Sequence, residues 1–206
     1  MRDALQVGWA AVKHTYERFP LLVLANIVTL LLLFPLVTGP PAVAALWALG
    51  RRAACGEPPR WEDYFRAFRA CFGRAWTLAW AHMLVLALLA ANLWFYMPEH
   101  NPFDLPEPIS LLLRLFFLLL LLLWLLLSQY LLPLMLERDG LRLWAALRTA
   151  AVLLARWPGF SLLLFVGTML AGLVSAAFPW LLLVLTPAFV AVLANQALLR
   201  LSQLER

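Results

Sequence analysis

Phe34-Pro35-Leu36-Val37-Thr38-Gly39-Pro40-Pro41-Ala42-Val43-Ala44-Ala45-Leu46 interrupts an apolar run that begins at Phe19. Gly39, Pro40 and Pro41 are three helix-hostile residues in succession. The prolines lack amide donors and disfavour helical geometry at the residue before them, so the backbone must turn here. Proline also fits the first turn of a new helix, which residues 42–54 continue. Thr38, Gly39, Pro40 and Pro41 are therefore the expected turn of a helical hairpin that runs out along residues 19–37 and back along 41–55. A weaker echo, Leu185-Thr186-Pro187-Ala188-Phe189-Val190-Ala191, stands near the other end of the chain and gives a first sign of repetition.

The composition places this hairpin in a membrane. Hydrophobic residues make up 65% of the 206 and charged residues 13%, with a mean hydropathy of +0.86. In a soluble domain about a quarter of the residues are charged. Residues 111–135 carry one charge, Arg114. About twenty apolar residues at roughly −0.4 kcal/mol each outweigh a charge costing about 3 kcal/mol. Arg114 is expected to snorkel outward or pair with Glu107. The pI near 9.9 comes from basic residues scattered beside the apolar runs, which suits anionic lipid headgroups and not nucleic acid. The first apolar run follows a helix-like segment carrying Lys13, Glu17 and Arg18, so it is expected to be a retained span and not a cleaved signal peptide.

Three stretches carry apolar residues at helical spacing with arginine around them. In 3–18 the face is Leu5, Trp9, Val12, Tyr16 and Phe19; in 61–76 it is Trp61, Tyr64, Phe65, Phe68 and Phe72; in 139–157 it is Trp144, Leu147, Ala151 and Leu154. These are expected to be interfacial helices, with Arg66, Arg69, Arg74, Arg142 and Arg148 contacting headgroups. Between them lie six expected spans: 19–37, 41–55, 75–96, 109–136, 160–178, and one from the Pro179-Trp180 turn to about residue 199. Gly167, Thr168, Ala171, Gly172 and Ser175 predict that the fifth span packs centrally.

Trp9-Ala10-Ala11-Val12-Lys13 matches Trp144-Ala145-Ala146-Leu147-Arg148, and Arg18-Phe19-Pro20 matches Arg156-Trp157-Pro158. The repeat unit is thus an amphipathic helix, a span, a turn and a returning span, over 1–56, 60–136 and 139–206 of a single membrane domain. Two crossings per unit make the repeats parallel. Residues 97–108 hold Glu99, Asp104 and Glu107 with no Lys or Arg, while all basic residues except Arg114 fall on the other side. Positive charge places that side, and both termini, in the cytoplasm. Cys55 and Cys71 lie there too, so they are expected to remain reduced. The expected fold is an all-α polytopic membrane helical bundle with six transmembrane helices, three interfacial amphipathic helices and parallel internal repeats.

No sequence pattern supplies a reaction. His14, His82 and His100 fall in three different compartments, and neither metal-ligand spacing nor a phosphate loop occurs, so no metal and no cofactor is expected. What remains are polar groups within the spans: Asn26, His82, Gln129, Asn195 and Gln196 form a candidate intramembrane cluster. Such groups line a polar cavity or bond helices together, at roughly 0.6–2 kcal/mol per bond. A lipid-acting enzyme would draw its carboxylate from Glu62, Asp63, Glu137 or Asp139.

With Asn26, the residue 33–46 stretch, and Tyr64-Phe65-Arg66-Ala67-Phe68-Arg69-Ala70-Cys71-Phe72 in view, the chain resembles the YesL-like family of bacterial multipass membrane proteins. Thr38 and Gly39 adjoin where that family's turn separates them, and Cys71 replaces an expected Asn. The resemblance implies the bacterial inner membrane and a link to carbohydrate uptake, with no catalytic residues to transfer. The expected function is a non-enzymatic accessory or scaffold protein beside a partner such as a sugar permease, in contact with anionic lipid. A small solute transporter is the alternative, and a lipid-acting membrane enzyme the third.

Overall fold

The computed structural model describes residues 2–97, 106–137, 143–178, 180–181 and 186–204, without the side chains of 2–6, 137 and 202–204. Among these the chain is all-helical, with nine helices: α1 (Arg2–Glu17), α2 (Phe19–Leu33), α3 (Gly39–Ala54), α4 (Trp61–Ala70), α5 (Phe72–Phe95), α6 (Glu107–Glu137), α7 (Leu143–Arg156), α8 (Pro158–Ala177) and α9 (Thr186–Leu204). The 97–108 loop lies mostly outside the described residues.

The hairpin turn sits upstream of its expected place. Pro35 cannot donate to the α2 ladder, so α2 stops at Leu33, and residues 34–38 make the turn with Leu36 left-handed at φ 49°. Gly39, Pro40 and Pro41 are already the first turn of α3, where a missing amide costs nothing because those donors have no helical partner. Of the four expected turn residues only Thr38 lies in the turn, donating its hydroxyl to the Leu32 carbonyl at 2.5 Å.

Among the described residues three helices are long and apolar enough to cross a membrane: α5, α6 through Leu136, and α8. The count reaches four if the bent pair Val7–Glu17 and Phe19–Leu33 is one span, and these two meet at 90°. α2 and α3 have 15 and 16 residues. At about 1.5 Å per residue they reach roughly 22–24 Å, short of a hydrocarbon core of about 30 Å. The 61–76 stretch also divides, since α4 ends at Ala70 and Arg74 and Trp76 belong to α5. The Trp76 indole N–H donates to the Val37 carbonyl at 3.0 Å, so the hairpin tip lies beside the beginning of α5.

Helix packing follows a cyclic pattern. α3, α6 and α9 pack on one another at the centre. Each amphipathic helix packs on the central helix that precedes it in the ring: α4 on α3, α7 on α6, and α1 on α9. Each central helix also meets the next outgoing helix, α3 with α5, α6 with α8 and α9 with α2. Hydrogen bonds repeat as well. Thr38, Ser110 and Thr186 each stand at the start of a central helix and donate to a carbonyl at or beyond the end of the helix before it, those of Leu32, Tyr96 and Leu181. The C-terminal ends of α3 and α6 are capped by neighbours, with Gln196 donating to Ala54 and Arg51 to Leu136, both at 2.7 Å.

Small residues make this centre. Ala42, Ala45 and Ala53 of α3 and Ala188, Ala191 and Ala197 of α9 are buried, and a Cβ on Gly50 would stand 2.9 Å from that of Ala191. Lipid offers no hydrophobic drive for helix association, so close backbone approach supplies the contact. The expected central role of the fifth span is corrected: an added Cβ at Gly167 or Gly172 meets nothing within 4 Å, and Leu170, Leu173 and Val174 are exposed. α8 is peripheral.

The matched Trp-Ala-Ala motifs share one burial pattern. Trp9 and Trp144 are 74% and 79% exposed, while Ala11 and Ala146 are fully buried. α1 thus packs through Val7, Ala11 and Thr15 and leaves Trp9, Val12 and Tyr16 facing outward.

Candidate functional site

Four of the five candidate polar residues bond at three different helix junctions and not in one cluster. His82 Nδ1 on α5 accepts the Trp124 indole N–H of α6 at 3.1 Å, which leaves the imidazole proton on Nε2. Gln129 on α6 donates to the Ser161 carbonyl of α8 at 3.2 Å. Asn195 on α9 donates to Ala191 at 2.7 Å and across to Trp47 of α3 at 3.3 Å, and Gln196 reaches Ala54. Asn26 is fully buried on α2. The four described bonding patterns tie α5 to α6, α6 to α8 and α9 to α3.

Sequence reasoning missed the tyrosines that do similar work. Tyr130, fully buried, exchanges a 2.8 Å hydrogen bond with the Ser161 hydroxyl, and Tyr64 one of 2.9 Å with Thr29. The available signal was chemical: a phenol in an apolar stretch needs a partner. Burial is the largest influence on Tyr64 and pushes its pKa up from 10.0, against the Thr29 hydrogen bond. Because the folded pKa is raised, the Tyr64 contribution to stability is full below pH 10 and is lost as pH rises through the folded value. Tyr64→Phe is expected to cost about 0.5–1.5 kcal/mol near neutrality. Thermal melts of parent and variant should converge above pH 10; a constant difference would refute the assignment.

The arginines differ in their surroundings. Arg66, Arg69 and Arg148 are exposed, and Arg74 is half-buried in the first turn of α5. Arg142 and Asp139 lie outside the described residues, as does the side chain of Glu137. Arg51 and Arg52, which the sequence did not single out, hold the scaffold: Arg52 pairs with Asp63 at 2.8 Å and with Glu57 at 3.2 Å. Asp63 also accepts the Arg60 amide at 3.1 Å and so caps α4. Arg114 pairs with Glu107 at 2.5 Å. Cys55 is exposed and Cys71 buried. Among the described residues no group of three or more His, Cys, Asp or Glu is placed to hold a metal.

Two cavities flank α1. One, of about 410 Å³, is an apolar groove between α1, α8 and α9. The other, of about 470 Å³, is bordered by Cys55, Gln196 and Arg200 where α3 and α9 approach α1.

Comparison with known proteins adds one finding. Residues 21–93 match the family described as "Protein of unknown function, DUF624". YesL belongs to that family. The matched segment contains most of α2, all of α3 and α4 and most of α5, and therefore the hairpin turn, its Trp76 contact and the Tyr64–Thr29 bond. No curated protein and no solved structure matches the chain.

Proposed function

We propose that the chain is a non-enzymatic accessory or scaffold protein of the bacterial inner membrane, YesL-like in kind, built from three parallel units in a ring. One observation carries this reading: His82, Gln129, Asn195 and Gln196 all spend hydrogen bonds on joining helices. Polar groups so engaged rigidify a bundle. Asp63, one candidate carboxylate for a lipid-acting enzyme, is held by Arg52 and the Arg60 amide.

In this reading α5, α6, α8 and α9 cross the bilayer, and the α2–α3 hairpin enters only part-way from the side of α1. α9 starts beside Ser175 at the far end of α8, where the two hydroxyls of Ser175 and Thr186 meet, so it returns across the membrane despite its short apolar stretch. Both termini then share the cytoplasmic side. The resemblance implies carbohydrate uptake, so the partner proposed is a sugar permease. Affinity purification in mild detergent should recover a permease with the chain. Recovery of the chain alone, with sugar flux in proteoliposomes containing only this protein, would overturn the scaffold reading in favour of a transporter.

Anionic lipid is the second proposed partner, held by Arg66, Arg69 and Arg74. Each basic group near such a surface contributes about 1 kcal/mol. The triple Arg→Gln variant should lose most of the thermal stabilisation that anionic lipid gives the parent in neutral detergent. Equal stabilisation of variant and parent would sink the contact.

A further inference from the structure

We propose that the groove between α1, α8 and α9 is a binding site for one acyl chain of a membrane phospholipid. Its volume is about 410 Å³, within the roughly 300–1,000 Å³ of small-molecule sites. Its floor is Val7, Leu164 and Leu193, all buried, with Phe160 and Phe189 as partly buried walls. Trp9 and Val12 form an exposed rim.

The opening identifies the occupant. Leu163 lines the groove and is itself on the exposed face of α8, beside Leu162 and Val166. α8 is long and apolar enough to span the bilayer, so the groove opens onto hydrocarbon and the adjacent mobile apolar molecule is a lipid tail. This step rests on the membrane placement proposed above for α8 and α9.

The corresponding seam around α4 is filled where this one is open. Where α4 meets α2 and α3, Tyr64 fills the junction and bonds Thr29, with Trp61 packed beside it. At the same distances before the bend that ends each amphipathic helix, at Cys71 and at Arg18, α1 carries Ala11 for Tyr64 and Gly8 for Trp61. Across the groove stands Gly167, and a Cβ at Gly8 or Gly167 would meet nothing within 4 Å. One seam is filled by aromatic side chains; the other is open at two glycines.

The same glycines supply the test. Gly167→Leu places an isobutyl group in open space, so the fold should persist, and a melting temperature equal to the parent's checks this. Both proteins are reconstituted in nanodiscs containing phosphatidylglycerol with a diazirine in its acyl chain, irradiated, and mapped by peptide. Parent protein should be labelled on α9 at Phe189 and Leu193 as well as on the exposed surfaces of α5 and α6. Labelling of the α9 peptide should fall at least fivefold in Gly167→Leu while α5 and α6 labelling stays constant. Equal α9 labelling in the two proteins, or a parent labelled on α5 and α6 but not on α9, overturns the site. Absence of label on α5 and α6 as well would instead refute the membrane placement, which separates the two failures.

Discussion

Gly50→Leu is expected to abolish the folded protein, and Gly50→Ala to destabilise it strongly, whereas Gly172→Ala should leave it as stable as the parent or more so. The difference lies in what each new side chain meets. At Gly50 a Cβ stands 2.9 Å from Ala191 Cβ, 3.0 Å from Ala191 C and 3.1 Å from Val192 N. Two of these three atoms are backbone, so α3 and α9 must separate, and overpacking of this kind costs about 1–3 kcal/mol. Separation would also stretch the Asn195–Trp47 and Gln196–Ala54 bonds that join the same helices. At Gly172 an added methyl meets open space and relieves a glycine inside a helix, a gain of about 0.5–1 kcal/mol. Expression and thermal melts in detergent measure both. A Gly50→Leu protein that melts with the parent would refute the central α3–α9 contact.

A cysteine replacing Leu36, with Cys55 and Cys71 changed to serine, is expected to resist a membrane-impermeant maleimide from either face of the membrane. The effect is all-or-none, because a hairpin that crossed fully would expose this tip to reagent outside intact cells. Three features favour a hairpin that turns back near the side it entered. α2 and α3 are too short to cross twice without thinning the bilayer, and Trp76 holds the tip at the beginning of α5. The tip is also the wrong chemistry for water: Phe34, Leu36 and Val37 are 93%, 79% and 61% exposed. Its amides suit hydrocarbon, since those of Phe34, Leu36, Val37 and Gly39 each donate to a carbonyl two or three residues back and Pro35 has none to satisfy. Asn101→Cys, in the acidic segment between α5 and α6, should label in intact cells, and native Cys55 only in inside-out vesicles. Labelling of Leu36→Cys in intact cells would restore two full crossings.

The membrane class, the helical hairpin, the three amphipathic helices and the Arg114–Glu107 pair were legible in the sequence because each depends on residues near one another along the chain. Periodicity found α1, α4 and α7, and a lone arginine two helical turns from a glutamate on the same face found its partner. The outward face of α1 was legible for the same reason, since Trp9, Val12 and Tyr16 are related by helical spacing alone.

Other features required contacts between distant segments. Composition could rank Gly167 and Gly172 as interface residues, yet only the packing of α9 on α3 shows that Gly50 is the close approach and that α8 stands at the edge. The place of the hairpin tip was likewise invisible, because nothing in the linear order puts Val37 beside Trp76, whose indole N–H binds the Val37 carbonyl. Local chemistry therefore determined which segments are helical and which faces seek lipid. The tertiary structure decided which helices are central, which helix the hairpin tip rests against and where a groove stays open, since those depend on partners that the linear order does not place side by side.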